Sequence, residues 1–134
     1  VFQNNKLSNL KVCICTLGKD ENRYITEFVE HSKNYGVDKI YLYDNNDIDG
    51  ERFENIIGKY VNNKFVEVID WRGVKGTKTY YGIMDSCYQT YYDKYDWLIF
   101  YELTFLNLKV FFQKMIKQKY LFYIVNITKK IFML

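Results

Sequence analysis

Four short apolar runs separated by amphipathic helical patterns constrain this chain more than any other feature. Lys11-Val-Cys-Ile-Cys-Thr-Leu17 is apolar almost without interruption and lacks a helical period. That is the pattern of a strand buried on both faces, as in a parallel sheet. Gly18 ends it, and Asp20 is placed to cap a helix with Glu21 in the first turn. Tyr24, Ile25, Phe28, Val29 and Tyr35 trace one face of that helix, and Gly36 stops it. The cycle then repeats. Lys39-Ile-Tyr-Leu-Tyr43 is a second strand, closed by the polar loop Asp44-Asn-Asn-Asp-Ile-Asp-Gly50. A helix is expected over 51–61 with Phe53, Ile56, Ile57 and Tyr60 inward, then a third strand at Phe65-Val-Glu-Val-Ile69. A loop at 73–78 leads into a helix over 79–92, and Tyr95-Asp-Trp-Leu-Ile-Phe-Tyr101 forms a fourth strand ending at Glu102. Strands and helices alternating in this way demand a parallel sheet with right-handed crossovers.

The charge distribution divides the chain at about Leu103. All 16 acidic residues lie in 1–102 beside 13 Lys and Arg, whereas the last 32 residues hold six Lys and no acid. The chain has no proline, and Phe, Tyr, Met, Ile, Asn and Lys, the residues of A/T-rich codons, dominate it. In the basic tail the pattern allows a helix over 106–118 and a strand over 120–127. The tail lacks caps, turn signals and acids, so a shifted reading frame is one explanation for it. A selected basic and apolar extension, covering a sheet edge or docking on a membrane surface, is the other.

Several function classes are disfavoured by what the residues do not provide. Cys13, Cys15 and Cys87 cannot all pair and form no metal-spaced array, so they are expected to be small, reduced, buried hydrophobes. Reduced cysteines without a signal peptide suggest a cytoplasmic protein, at most peripheral to a membrane. No Gly-x-Gly-x-x-Gly follows the first strand, and Gly73-Val-Lys-Gly76-Thr-Lys lacks the Walker spacing, although Lys75 and Lys78 could reach a phosphate. Asn45-x-Asp47-x-Asp49-Gly50 resembles a calcium loop, but its twelfth position is Ile56 instead of a bidentate Glu. The aromatic content of 19% could suggest base stacking. The ordered part is net acidic, however, which argues against nucleic acid as a partner. Tyr80, Tyr81, Tyr88, Tyr91 and Tyr92 fit helical spacing and are expected to pack on the sheet.

Chemistry is expected at the carboxyl ends of the strands, where open parallel sheets bind ligands. Those ends read Thr16-Leu17, Asp44-Asn45, Asp70 and Glu102. Three carboxylates there suit a metal–nucleotide ligand, unless Asp44 and Asp70 simply cap loops.

The strings Lys19-Asp-Glu-Asn-Arg-Tyr-Ile-Thr-Glu-Phe-Val-Glu-His, Tyr35-Gly-Val-Asp-Lys-Ile-Tyr-Leu-Tyr-Asp-Asn-Asn-Asp, Phe65-Val-Glu-Val-Ile-Asp-Trp and Tyr95-Asp-Trp-Leu-Ile-Phe-Tyr-Glu resemble nucleotide-sugar glycosyltransferases of the GT-A fold, family 2-like and family 92-like. The resemblance spans about residues 10–103. It implies the α/β, Rossmann-like three-layer β/α/β half of a GT-A fold, truncated, with a parallel sheet in the order 3-2-1-4. Residues 1–103 would form a nucleotide-sugar-binding domain and 104–134 an atypical tail. Thr16, Glu21, Asp44 and Asp85 would be nucleotide-binding, and Glu102 would hold Mn²⁺ or Mg²⁺ against the diphosphate. The family's second metal ligand falls at Thr104, and Phe105 stands where a Glu is usual. The resemblance implies transfer of a sugar from a nucleoside-diphosphate donor, a UDP-sugar by preference, to a glycan or other acceptor. With the metal motif broken at Thr104, the chain is expected to be an incomplete or inactive part of such an enzyme. The alternatives are a non-catalytic nucleotide- or sugar-binding module and a flavodoxin-like interaction domain.

Overall fold

The computed structural model describes residues 10–76, 78–103, 108–116 and 119–127, with side chains over 10–76 and 79–100. The expected alternation is present. Strand β1 (Val12–Gly18) leads to α1 (Asn22–Asn34), β2 (Lys39–Asp44), α2 (Glu54–Asn62), β3 (Val66–Asp70), α3 (Lys78–Tyr91) and β4 (Trp97–Leu103). The four strands are parallel and lie in the order β3-β2-β1-β4, as the sequence implies. Strands β5 (Leu108–Ile116) and β6 (Lys119–Ile127) extend the same sheet, pairing antiparallel to β4 and to each other.

Alternation along the strands divides the core between the two faces of the sheet. Ile14, Ile40, Leu42 and Val66 meet Ile25, Phe28, Val29, Phe53 and Ile57 of α1, α2 and the α2 cap on one side. Cys13, Cys15, Tyr41, Tyr43, Leu98 and Phe100 meet Ile83, Cys87 and Tyr91 of α3 on the other. Helices therefore cover both faces, as parallel strands require. No helix among the described residues is long and apolar enough to cross a membrane.

Five local expectations are corrected. Within the expected helix 106–118, the described residues Leu108–Ile116 form strand β5, because the open edge of β4 supplies a backbone hydrogen-bond ladder to a run of weak local preference; the strand expected over 120–127 is present as β6. Helix α2 begins at Glu54 rather than 51, since the carbonyls of Asp47, Ile48, Gly50 and Glu51 all accept from the Arg72 guanidinium. Ile56, expected inward, is half exposed, while Phe53, Ile57 and Tyr60 are buried. Asp20 does not cap α1: it has φ 57°, and the N-cap is Glu21 without a side-chain cap bond. Tyr91 packs on the sheet as expected, but Tyr81 (71% exposed) and Tyr92 face solvent. Finally, the cysteines are buried but not all reduced. A disulfide joins Cys15 of β1 to Cys87 of α3, with Cα atoms 6.5 Å apart, within the span a disulfide bridges. Cys13 is free and buried, and burial with Asp38 nearby pushes its thiol pKa upward, away from nucleophilic use.

Candidate functional site

The winding of the sheet reverses between β1 and β4, so the crevice beyond their carboxyl ends is the topological switch point. Gly18 ends β1 and sits in register with Asp44 on one side and Leu103 on the other. Glu102 is in register with Leu17. Asp44 and Glu102 thus occupy the same edge, two strand spacings or roughly 10 Å apart in backbone terms. Thr104 and Phe105 lie outside the described residues, as does the side chain of Glu102.

Three loops meet at this edge and are bonded into one unit. The Asn45 amide N–H donates to the Gly18 carbonyl, that of Trp71 to the Asp44 carbonyl, and that of Gly73 to the Asn46 carbonyl, each at 3.0 Å. The Asn45 side chain donates to the carbonyls of Trp71 (2.8 Å) and Val74 (2.9 Å). Asn46 is fully buried and works in both directions. Its Oδ1 accepts from the Asp20 amide at 2.8 Å, and its Nδ2 donates to Asp44 Oδ1 at 2.7 Å. The bond from Asn46 accounts for the left-handed backbone of Asp20, a conformation an aspartate tolerates better than most residues. Glu51 supplies the cap that Asp20 does not: its Oε2 accepts the Asn22 amide at 3.0 Å, a carboxylate at the positive end of α1. Lys19 and Asp47 add an exposed ion pair at 3.1 Å between the same two loops, which holds the Asp47 carboxyl below the usual carboxylate range.

Arg72 was not singled out by sequence reasoning, yet it makes the largest set of polar contacts here. Its side chain is 10% exposed, and Nη1 donates to Asp44 Oδ2 and to the Glu51 carbonyl, both at 2.8 Å. Nη2 serves the carbonyls of Asp47, Ile48 and Gly50. The loop that resembles a calcium-binding sequence therefore does hold a cation, a guanidinium from the next loop. The only sequence signal was an arginine two residues beyond a strand-ending Asp70. That aspartate closes a local turn through its Oδ1 and the Arg72 amide at 3.0 Å.

The candidate nucleotide-binding residues stand as follows. Thr16 is buried on β1, and its hydroxyl has no hydrogen-bond partner among the described residues. Glu21 is buried at the α1 N-cap and lines a cavity of about 210 Å³ with Asp20, Arg23 and Tyr24. Asp44 is buried at the end of β2. Its Oδ1 accepts from the Asn46 amide and side chain, and its Oδ2 from Arg72. Asp85 is exposed on α3, beside Ser86, whose hydroxyl is hydrogen-bonded to that of Tyr43. The edge of the sheet thus gathers Thr16, Glu21, Asp44 and the backbone of Glu102, while Asp85 sits on a helix face. Among the described residues no group of three or more His, Cys, Asp or Glu converges to hold a metal ion.

Comparison with known proteins agrees with this architecture. No curated protein matches the chain. The family model for glycosyltransferase family 92 matches residues 8–104, which takes in all four parallel strands and every loop of the switch-point edge. With most of its length and its whole candidate site inside that match, the chain belongs to glycosyltransferase family 92.

Proposed function

We propose that the crevice beyond β1 and β4 binds a nucleoside-diphosphate sugar, a UDP-sugar by preference, in a GT-A arrangement. Membership of the family implies glycosyl transfer, and so a sugar donor and an acceptor. The observation that carries the finer reading is the cavity of about 210 Å³ over the start of α1. Its four lining residues suit the nucleoside and phosphate parts of such a donor. The carboxylates of Asp20 and Glu21 accept hydrogen bonds from a ribose diol, the Arg23 guanidinium pairs with phosphate, and the Tyr24 ring offers an apolar face to a base. Arg23 already lies over that ring, 5.8 Å from its centroid. Asp44, neutralised internally by Arg72, adds no bare charge to repel the diphosphate.

Mn²⁺ or Mg²⁺, expected at Glu102, would offset the charge on the departing nucleoside diphosphate when bound. The described side chains, which do not include that of Glu102, do not by themselves supply its ligands. Calorimetric titration with UDP, UMP and GDP tests the proposal. Saturable UDP binding that weakens at least ten-fold in Arg23→Ala and Tyr24→Ala is expected. A folded protein that takes up none of the three at millimolar concentration would overturn it.

A further inference from the structure

Arg72 lines none of the cavity, yet it is linked through other residues to the turn that carries Asp20 on its wall and leads into α1. One guanidinium engages four carbonyls of the 45–51 loop and the Asp44 carboxylate, and so fixes the backbone of that loop. The loop in turn holds the β1–α1 turn through three contacts: Asn46 to the Asp20 amide, Asp47 to Lys19, and Glu51 to the Asn22 amide. The residues so held, 19–22, carry Asp20 and Glu21 on the cavity wall and start the helix that presents Arg23 and Tyr24. Asp44 has both oxygens committed within this chain of contacts, leaving it little to offer a ligand directly.

We propose that Arg72 is a positioning residue for the donor cavity, acting through the 45–51 loop on the β1–α1 turn, and that Asp44 serves the site by holding Arg72 and Asn46. That the cavity takes a donor, and with it the choice of UDP as probe, rests on the function proposed above; the contacts from Arg72 to residues 19–22 do not. Lysine at this position could keep a charge near Asp44 but cannot span Asp44 and four carbonyls, because an ammonium is a point donor without a planar fork.

The test uses the full chain with Arg72→Ala and Arg72→Lys, each confirmed as folded by circular dichroism. Hydrogen exchange is followed in peptides covering 18–24 and 44–52, and UDP affinity by calorimetry. Arg72→Ala should raise exchange in both peptides while the β1 and β2 interiors stay protected. It should weaken UDP binding at least ten-fold, with Arg72→Lys between it and the parent. A purely structural arginine would lower global stability without this local pattern. Unchanged exchange at 18–24, or parental UDP affinity in folded Arg72→Ala, overturns the proposal. If Arg72→Ala does not fold, Arg72→Lys carries both measurements under the same criteria. If the parent itself does not bind UDP, the nucleotide reading fails, and exchange at 18–24 alone decides the role of Arg72.

Discussion

Replacing Asn46 by alanine removes two hydrogen bonds from the buried centre of the loop assembly while leaving its backbone contacts in place. The bond from Nδ2 to Asp44 Oδ1 at 2.7 Å ends on a carboxylate, and such bonds contribute about 1.5–3 kcal/mol. The bond accepted from the Asp20 amide at 2.8 Å holds a left-handed residue, and stranding that donor costs about 1–2 kcal/mol where water can partly reach it. Asp44 is not abandoned, because Arg72 and the Asn46 amide still donate to it. The sum is roughly 2.5–5 kcal/mol, or a fall in Tm of about 10–20 °C for a domain of this size. Urea unfolding of parent and variant, fitted with a common m-value, gives the free-energy difference directly. Exchange at the Asp20 amide should accelerate in parallel. Asp47→Ala is the control: it removes only the exposed pair with Lys19 and should leave stability nearly unchanged. A loss below about 1 kcal/mol in Asn46→Ala, or a loss equal to that of Asp47→Ala, would refute the idea that Asn46 is the hub of the edge.

Thiol titration of the unreduced protein under denaturing conditions should find one reactive group, Cys13, and reduction should reveal three; finding three at the outset would remove the Cys15–Cys87 link. Closing a loop of 72 residues, that link is worth about 4 kcal/mol on the chain-entropy account, so reductant should lower the urea midpoint accordingly. Alkaline unfolding should begin above about pH 10, the ordinary tyrosine pKa. Burial raises Tyr91 to about 12 and raises Tyr41, Tyr43 and Tyr95 as well, so stability present below the unfolded tyrosine pKa is lost as pH climbs through the folded values. Tyrosinate absorbance should therefore show a delayed fraction that appears together with unfolding; a single unshifted transition at about pH 10 would contradict the packing. Gly58→Ala should stabilise the protein by about 0.5–1 kcal/mol, since an added methyl meets nothing there. Gly82→Ala should not, because its Cβ would come within 3.1 Å of the Trp71 ring, and urea midpoints of the two variants compare them directly.

Much of the fold was legible because its signals are local. The runs at 11–17, 39–43, 65–69 and 95–101 carry their own burial pattern, and three helical connections between them leave a parallel sheet as the economical solution. That sheet fixes Asp44 and Glu102 at one edge by register alone, and Gly18 between them. The tertiary structure decided which groups satisfy one another at that edge. Arg72 reaches Asp44 from 28 residues away, Asn46 reaches Asp20 from 26, and Glu51 rather than Asp20 completes the start of α1 from 29. Cys15 finds Cys87 across 72 residues for the same reason. Strand β5 forms where its own sequence is ambiguous, because β4 offers an unpaired edge. Periodicity and caps report on a few neighbouring residues, whereas the pairing of buried polar groups depends on which loops the folded sheet brings within about 3 Å, and no local pattern encodes that distance.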